Sequence, residues 1–299
     1  MLIWDRTKGR KGFIMNNKYK GKKVFITGGS AGIGKGIALA LAKEGASVII
    51  CARNQANLEK AVAELKQVGN PEAVFGYVVL DVSDKKQVES VAKDVIKTLG
   101  GLDLLICNSG YAQVGEAANL DDSVYRKLMD VNYFGHVNTS LAFQNQFIRQ
   151  GSGEIVFLSS TLAFFSIYGY GAYAASKQAI VGFAQGLRQE MMFHNVKVKL
   201  FFPPTTDTPG LARENEDKPA ITKEMEMGSA LNKVHSVESV ANAIVRWIPN
   251  RKFIGYTGWD SWLQYFLFRH FPEWAIRLTD SELRGAEARL KKKNKAVSK

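Results

Sequence analysis

Short apolar segments alternate with longer helical patterns from Lys23 onward, and this alternation limits the chain to few folds. Because helical patterns separate the apolar segments, they predict repeated βα units and a parallel sheet. Several segments, such as Val-Phe-Ile, are apolar without interruption, as expected of strands buried on both faces. The predicted strands are Lys23–Thr27, Ser47–Cys51, Ala73–Leu80, Leu102–Asn108, Gly153–Ser159, Val196–Phe202 and Phe253–Tyr256.

These units predict an α/β fold with a doubly wound parallel sheet in a single domain. The chain has 299 residues and 46% hydrophobic content, which suffices for one sizeable core. We expect this domain to cover residues 22–258. A basic N-terminal arm would precede it over residues 1–21, and a C-terminal extension, first aromatic and then basic, would follow over residues 259–299.

The net charge of +12 is concentrated in the two tails. Residues 1–23 contain eight Lys or Arg against one acidic residue, and residues 284–299 contain seven against one, so the part between them is close to neutral. A neutral body argues against a nucleic-acid-binding protein. The tails are predicted either to contact an anionic membrane surface or to be solvated ends.

The sequence shows neither a signal peptide nor a transmembrane segment, so we expect a cytoplasmic protein that is soluble or peripheral on a membrane. Cys51 and Cys107 each end an apolar run, which is not the setting of a disulfide or a metal ligand. No metal site is expected, because ligand spacing is lacking among His136, His194, His235 and His270.

A glycine-rich turn joins the first predicted strand to the first helix. Thr27-Gly28-Gly29-Ser30-Ala31-Gly32-Ile33-Gly34 follows the strand directly. Glycines permit a tight turn and close approach of the backbone, so the helix N-terminus can present N–H groups to a pyrophosphate. This context predicts a Rossmann-like dinucleotide site.

The end of the second predicted strand indicates which dinucleotide binds. An enzyme that uses NAD would place an acid there, about 20 residues after the turn, to bind the ribose 2′-hydroxyl. This chain has Ala52 and Arg53 instead. The planar guanidinium of an arginine can donate two parallel hydrogen bonds to a 2′-phosphate, so this residue favours NADP(H). Asp81, at the end of the third strand, could bind the adenine amino group or cap a helix.

Tyr173-Ala174-Ala175-Ser176-Lys177 carries the predicted catalytic pair. A spacing of four places the phenol and the ammonium on one helix face. We expect Lys177 to lower the pKa of Tyr173, which would then donate a proton to a carbonyl oxygen while a nicotinamide delivers hydride. Ser159 and Ser160 end the fifth strand, where a hydroxyl could bind the same oxygen. Asn132 is predicted to hold a water between Lys177 and solvent.

The order of these motifs resembles the short-chain dehydrogenase/reductase superfamily over roughly residues 22–260. In that family the serine lies thirteen residues before the tyrosine, which selects Ser160, with Ser159 as the alternative. The family usually has Asn-Ala-Gly where this chain has Asn108-Ser109-Gly110. The resemblance also implies a homo-oligomer and a set of cofactor contacts: Gly28, Ser30, Ala31, Gly32, Ile33, Gly34, Arg53, Asp81, Val82, Asn108, Tyr173, Lys177, Thr206 and Thr208.

A narrower resemblance follows the sixth strand. The segment Pro203–Gly210, with its Pro-Pro-x-Thr-Asp-Thr-Pro-Gly pattern, and the charged stretch after it look like the 3-ketodihydrosphingosine reductases. That resemblance implies reduction of a long-chain sphingoid ketone with NADPH. A lysine often found four residues after the arginine is Asn57 here. The alternatives are a reductase for a steroid, retinoid or 3-oxoacyl substrate, and a non-catalytic cofactor-binding scaffold at a membrane.

The C-terminal segment is unusually aromatic, and basic residues interleave with its rings. Such a segment is typical of an interfacial helix at a membrane, although a lid over the substrate or a subunit contact needs the same residue types. Its aromatic residues are Trp259, Trp262, Tyr265, Phe266, Phe268, Phe271 and Trp274.

Overall fold

The computed structural model describes residues 18–229 and 233–297. The part of the N-terminal arm over residues 1–17 therefore lies outside the described residues. In chain order the strands are β1 (Lys23–Thr27), β2 (Ser47–Ala52), β3 (Phe75–Val79), β4 (Leu104–Cys107), β5 (Gly153–Leu158), β6 (Val196–Phe202), β7 (Thr206–Asp207), β8 (His235–Ser236) and β9 (Ile254–Tyr256).

In the described residues, helices lie between successive strands except between β6 and β7, and two helices follow β9. They are α1 (Gly32–Lys43), α2 (Gln55–Val68), α3 (Lys85–Leu99), α4 (Asp122–Leu128), α5 (Gly135–Gln150), α6 (Gly171–Met192), α7 (Pro209–Glu216), α8 (Ala220–Gly228), α9 (Val237–Trp247), α10 (Trp259–His270) and α11 (Pro272–Val297). A π-helical turn over Met129–Phe134 lies between α4 and α5, and a 3-10 turn over Thr161–Ala163 follows β5.

Seven strands form one parallel sheet in the order β3-β2-β1-β4-β5-β6-β9, which confirms the predicted fold class. β7 and β8 pair separately. The sheet is doubly wound: one hydrophobic core lies beneath α1, α2 and α9, and a second lies beneath α3, α5 and α6. Burial on both faces explains why the central strands are apolar without alternation.

Some strands are shorter than predicted because hydrogen bonds outside the ladder take over at their ends. β3 begins at Phe75, since the N–H of Val74 donates to the Ser47 hydroxyl at 2.9 Å. β4 ends at Cys107, because the N–H of Asn108 donates to the Thr27 hydroxyl at 2.9 Å. The ends of these strands thus already belong to the loops that form the site.

The C-terminal helices fold back onto the body of the protein. The ring of Phe268 on α10 stacks on Phe165 with centroids 4.5 Å apart, and Tyr265 meets Phe164 edge-on at 5.4 Å. α11 packs along α8. Among the described residues, no helix has both the length and the apolar character required to cross a membrane.

Candidate active site

A cavity of about 420 Å³ opens at the carboxyl ends of the strands, beside the point where the strand order reverses between β1 and β4. Open α/β sheets bind their ligands at this position. The glycine turn after β1, the ends of β4 and β5, and the start of α6 all contribute to its wall. Most of the predicted site residues therefore meet in one place, although they are far apart in the sequence.

The glycine turn has the shape that a phosphate site requires. Gly28 and Gly32 have φ angles of +67° and +54°, a region that favours glycine. A Cβ atom at Gly34 would overlap the carbonyl oxygen of Gly28. α1 then begins with no side-chain cap and no acidic residue in its first turn, so its N–H groups and positive dipole end are free for an anion. These residues fit a dinucleotide pyrophosphate.

Thr27 and Asn108 hold the two loops of this site together. The Thr27 hydroxyl accepts hydrogen bonds from the N–H groups of Asn108 and Ser109 at 2.9 and 3.0 Å. The Asn108 amide donates in turn to the carbonyl oxygen of Thr27 at 2.8 Å. Asn108 lines the cavity, as predicted, but its amide is used to position the glycine turn.

The residues predicted to bind the adenosine half lie outside the cavity wall. Arg53, after β2, is exposed. Asp81, after β3, accepts hydrogen bonds from Ser83. Burial alone would raise the pKa of Asp81, but these hydrogen bonds and the positive charge of Arg53 outweigh burial and bring the pKa below its usual range. Val82 is 5% exposed, and its side chain packs in the core against Gly135.

Tyr173 and Lys177 both line the cavity from the first turns of α6. The ammonium of Lys177 lies 5.9 Å from the centroid of the Tyr173 ring and donates to the carbonyl oxygen of Leu158 at 3.3 Å. The helix therefore brings both groups to one face, as the spacing of four predicts. Lys177 is 4% exposed, so its charge is shielded from bulk solvent.

The two serines at the end of β5 have different partners. Ser159 donates to the carbonyl oxygen of Lys177 at 2.9 Å and so fixes the helix to the strand. Ser160 is hydrogen-bonded to the phenol of Tyr173. This geometry supports Ser160, the residue that the family spacing selects, as the hydroxyl beside the reacting oxygen, and it leaves Ser159 a positioning contact.

The pKa of Tyr173 differs from the sequence-based prediction. Burial raises it to about 12, the hydrogen bond with Ser160 lowers it in part, and the negative charge of Glu214 raises it again. The net shift is therefore upward, opposite to the predicted lowering, because burial has the largest effect. Burial also lowers the pKa of Lys177 to about 8. Tyr173 is thus protonated at neutral pH, which is the state that can donate to a ketone oxygen.

Asn132 lies in the π-helical turn between α4 and α5 and is fully buried. Its amide donates to the carbonyl oxygen of Tyr111 and to the Ser176 hydroxyl, each at 2.9 Å, and its carbonyl oxygen accepts from the N–H of Tyr111 at 3.0 Å. π-helical turns often occur at functional sites. Here the turn places Asn132 and Lys177 against the same residue, Gly110.

Thr206 and Thr208 line the cavity on the side of the glycine turn. The Thr208 hydroxyl caps α7 by accepting from the N–H of Leu211 at 3.1 Å, and its methyl group lies beside Gly32. Thr206 donates to the carbonyl oxygen of Pro204 at 2.8 Å. The segment after β6 therefore closes over the place where the helix N-terminus faces the cavity.

Sequence reasoning missed a second polar group in the cavity wall. Tyr170 hydrogen-bonds to Glu214 and Glu226, and Lys218 forms ion pairs with both carboxylates. We call these four residues the Tyr170 cluster. Glu214 and Lys218 are four residues apart on a charged segment, which was a usable signal, but Tyr170 and Glu226 are brought to them only by the tertiary fold.

The C-terminal extension completes the far wall of the cavity. Phe165 and Met225 line this wall together with Phe268 of α10 and Leu278 of α11. The opposite side of the extension is exposed: Trp259 is 76%, Trp262 50% and Trp274 55% accessible to solvent. The same segment thus covers the cavity on one face and presents aromatic rings to the outside on the other.

Comparisons with known proteins point to one family. The model of the short chain dehydrogenase family matches residues 22–219. The 3-ketodihydrosphingosine reductases of Bos taurus and Mus musculus are 37% and 38% identical over 245 residues, which cover 81% of this chain and 73% of each relative. A short-chain type dehydrogenase/reductase of known structure from Mycobacterium ulcerans superposes with a TM-score of 0.74 at 25% identity, over 87% of this chain and 98% of that one.

Proposed function

Because this chain belongs to the short chain dehydrogenase family, an oxidoreductase family that binds nicotinamide cofactors, we propose that it reduces 3-ketodihydrosphingosine to dihydrosphingosine with NADPH. The observation that carries this proposal is the arrangement of Ser160, Tyr173 and Lys177 in a cavity whose far wall is apolar. Relatives with that printed activity match four fifths of the chain, which supports the same substrate.

The chemistry of reduction follows from the protonation states of the site. A reduced nicotinamide, when bound, supplies hydride to the carbonyl carbon. Ser160 and Tyr173 hydrogen-bond to the ketone oxygen, and the phenol of Tyr173 gives its proton to that oxygen as negative charge develops there. The nearby ammonium of Lys177 stabilises the phenolate that results. Asn132 would hold a water through which Lys177 exchanges protons with solvent.

Arg53 supports NADPH as the cofactor. It is exposed beyond the end of β2, in the position where enzymes that use NAD place an acid, and a guanidinium can bind a 2′-phosphate through two parallel hydrogen bonds. Asp81 lies close enough to Arg53 that the positive charge of the guanidinium lowers the pKa of the Asp81 carboxyl. These two residues would hold the adenosine half at the rim of the site, and the glycine turn would hold the pyrophosphate.

The exposed face of the C-terminal extension supports contact with a membrane, from which a long-chain ketone would be drawn. Trp262, Phe271 and Trp274 are each at least half exposed, and Arg269 and Arg277 lie among them. Aromatic and basic residues together suit the headgroup region. Co-flotation with anionic vesicles would test this contact; Trp262→Ser with Trp274→Ser should release the protein, whereas equal recovery of both proteins would contradict it.

We also propose that the protein forms a homo-oligomer through the exposed apolar side chains in the region of α5 and α6. Apolar side chains beside or on α5 and α6 are exposed, among them Leu141 at 43%, Met192 at 61% and Phe193 at 91%. Exposed apolar patches of this kind mark contact surfaces. Light scattering coupled to size-exclusion chromatography would measure the mass, and Leu141→Glu should shift it to that of a monomer.

The decisive test of the activity is oxidation of NADPH, followed at 340 nm, with 3-ketodihydrosphingosine in detergent. A short ketone and a steroid ketone serve as controls. We expect preferential turnover of the sphingoid ketone. Turnover of the controls alone would reject the proposed substrate, and no turnover of any ketone would favour a non-catalytic role.

A further inference from the structure

His136 is a buried polar residue beneath the active site to which the reduction described above gives no part. It is the second residue of α5 and is 1% exposed. Its ring stacks beside Phe157 of β5, with centroids 6.0 Å apart. Its Nε2 lies 2.9 Å from the carbonyl oxygen of Ser109, in the loop after β4. A polar group in an apolar core needs a hydrogen-bond partner, and this carbonyl oxygen is that partner.

The ring of His136 is the donor in this hydrogen bond. Burial, and then the positive charge of Lys177, lower the pKa of His136 to about 3, so the ring is uncharged at neutral pH. A neutral imidazole has one N–H and a carbonyl oxygen can only accept, so Nε2 carries the hydrogen. Nδ1 has no hydrogen-bond partner among the described residues. Within that part of the chain, the bond to Ser109 is therefore what orients the ring.

The hydrogen bond fixes the direction of a whole peptide group. None of the described peptide bonds is cis, and a planar trans peptide points its C=O and its N–H in opposite directions. Because the carbonyl group of Ser109 faces His136 in the core, the N–H of Gly110 is directed away from that ring. Gly110 lines the cavity. His136 thus determines how the backbone of Gly110 is presented at the cavity wall.

Asn132 holds the chain on the other side of Gly110. It lies in the π-helical turn that leads into α5, four residues before His136. Its amide oxygen accepts from the N–H of Tyr111 at 3.0 Å, and its amide nitrogen donates to the carbonyl oxygen of Tyr111 at 2.9 Å. One stretch of helix therefore binds the residues before and after Gly110.

Gly110 lies against the ammonium group of Lys177. A Cβ atom added at Gly110 would be 3.1 Å from Nζ of Lys177 and 3.0 Å from the amide oxygen of Asn132. The same ammonium donates to the carbonyl oxygen of Leu158 at 3.3 Å. Closely packed groups transmit displacements to their neighbours. A shift of the loop would therefore move the ammonium that stabilises the phenolate of Tyr173.

We propose that His136 is a positioning residue of the reduction: by holding the carbonyl group of Ser109, it keeps Gly110 against Lys177 and so sets the place of the ammonium. This inference rests on the proposed function and goes beyond it, since His136 would act through the loop and not on the ketone. A displacement of about 1 Å can cost on the order of a hundredfold in rate, even when it originates away from the reacting groups.

Two substitutions separate the hydrogen bond from the space that the ring fills. His136→Gln keeps an N–H donor at about the reach of Nε2, whereas His136→Leu fills much of the same volume without a donor. The substrate is the ketone that the unmodified protein reduces fastest. We expect kcat to fall about tenfold or more in the Leu variant and to stay within about threefold in the Gln variant. KM for NADPH and for the ketone should change less than about threefold in both.

A control variant distinguishes positioning from a general loss of stability. Phe143 lies two turns further along α5, and its ring packs on Phe25 with centroids 5.1 Å apart. Phe143→Leu and His136→Leu should both lower the unfolding temperature, measured by circular dichroism. At a temperature well below unfolding, His136→Leu alone should lower kcat. A fall in kcat that follows the unfolding temperature in both variants would overturn the proposal.

Gly110→Ala tests the same connection from the side of the loop. Its added methyl group would press on Nζ of Lys177 and on the amide of Asn132. We expect kcat to fall about tenfold or more in a protein that still folds. Full kcat in this variant would show that the position of the loop does not govern Lys177, and the proposal would be wrong.

The outcomes separate this inference from the proposed function. If the unmodified protein reduces a ketone and His136→Leu is equally fast, the positioning role is wrong and the function stands. Equal losses of kcat in the Leu and Gln variants would also overturn it, because the donor would not matter. If the unmodified protein reduces no ketone, the proposed function fails and this inference fails with it. Should His136→Leu not fold, Gly110→Ala decides the question.

Discussion

Tyr173 illustrates how a single residue depends on its surroundings. Burial and the charge of Glu214 raise the pKa of its phenol and keep it protonated, and the hydrogen bond with Ser160 opposes them. This upward shift of the pKa suits reduction, in which the phenol must begin as a proton donor. The sequence indicated the residue and its partners, but the sign of the pKa shift depends on burial, which no spacing of residues along a helix reveals.

Tyr173→Phe should remove the proton donor and little else, because the ring keeps its place in α6. We expect kcat to fall by about two to four orders of magnitude, the usual contribution of a general acid. NADPH binding, measured by fluorescence titration, should change less than about threefold. Tyr168→Phe is the matched control, since Tyr168 hydrogen-bonds to Glu116 outside the cavity and should retain activity. Undiminished turnover in Tyr173→Phe would reject the mechanism.

Lys177 should give the reaction an alkaline limit. Its pKa is lowered to about 8 by burial, so the ammonium is present below pH 8 and is lost as the pH rises above it. If the ammonium supports the phenolate of Tyr173, kcat/KM for reduction should be level near pH 7 and fall about tenfold per pH unit above 8. A pH profile that stays level to pH 10 would contradict this role.

At the scale of elements, the ends of strands decide what the site can bind. β1 leads into the glycine turn, β2 presents Arg53, and β4 is cut short where Asn108 bonds to Thr27. Each loop is held by hydrogen bonds to its neighbour, so a change in one alters the position of the next. The strand ends therefore act together as one binding edge.

Gly34→Ala should disrupt that edge. The added Cβ would overlap the carbonyl oxygen of Gly28, and the backbone must shift to avoid it. We expect NADPH affinity to fall at least about tenfold in a fluorescence titration, with some loss of thermal stability. Gly182→Ala is the control, because nothing lies within 4 Å of its added Cβ and it should stabilise α6 by up to about 1 kcal/mol. Equal NADPH affinity in both variants would show that the turn is not the binding site.

Arg53→Ala should change the choice of cofactor. Without the guanidinium, KM for NADPH should rise about tenfold or more while KM for NADH changes little, because only the 2′-phosphate loses its partner. Steady-state kinetics with both cofactors measure the ratio. Arg149→Ala, at an exposed position near the end of α5, should leave that ratio unchanged. A parallel loss with NADPH and NADH would mean that Arg53 does not recognise the phosphate.

For the molecule as a whole, two cores on opposite faces of one sheet hold the site in place. His136 belongs to this framework: it is 1% exposed, its Nε2 lies 2.9 Å from the carbonyl oxygen of Ser109, and burial lowers its pKa to about 3. The ring must therefore be neutral and donate through Nε2. It therefore supports the loop after β4 from the core.

Stability should consequently fall in acid. The unfolded chain binds a proton at His136 near pH 6.5, whereas the folded protein resists it down to about pH 3. Unfolding is therefore favoured as the pH falls through this window, and His136 should cost about 2 kcal/mol of the free energy of unfolding between pH 7 and pH 5. Urea unfolding at both pH values measures this. His136→Asn should show a smaller difference between them, and an equal difference would contradict the assignment.

The sequence by itself determined the βα order, the parallel sheet and the residues that carry the chemistry, because strand burial, turn geometry and helix spacing are local properties. Only the tertiary structure decided that Ser159 bonds to the backbone of α6 while Ser160 bonds to Tyr173, since both partners belong to α6, which meets the end of β5 only in the folded protein. It also decided that Val82 is a core residue and that Tyr170, Glu214, Lys218 and Glu226 meet. Burial and contacts between distant segments arise when the elements pack, so the charge around the substrate depends on the assembled fold.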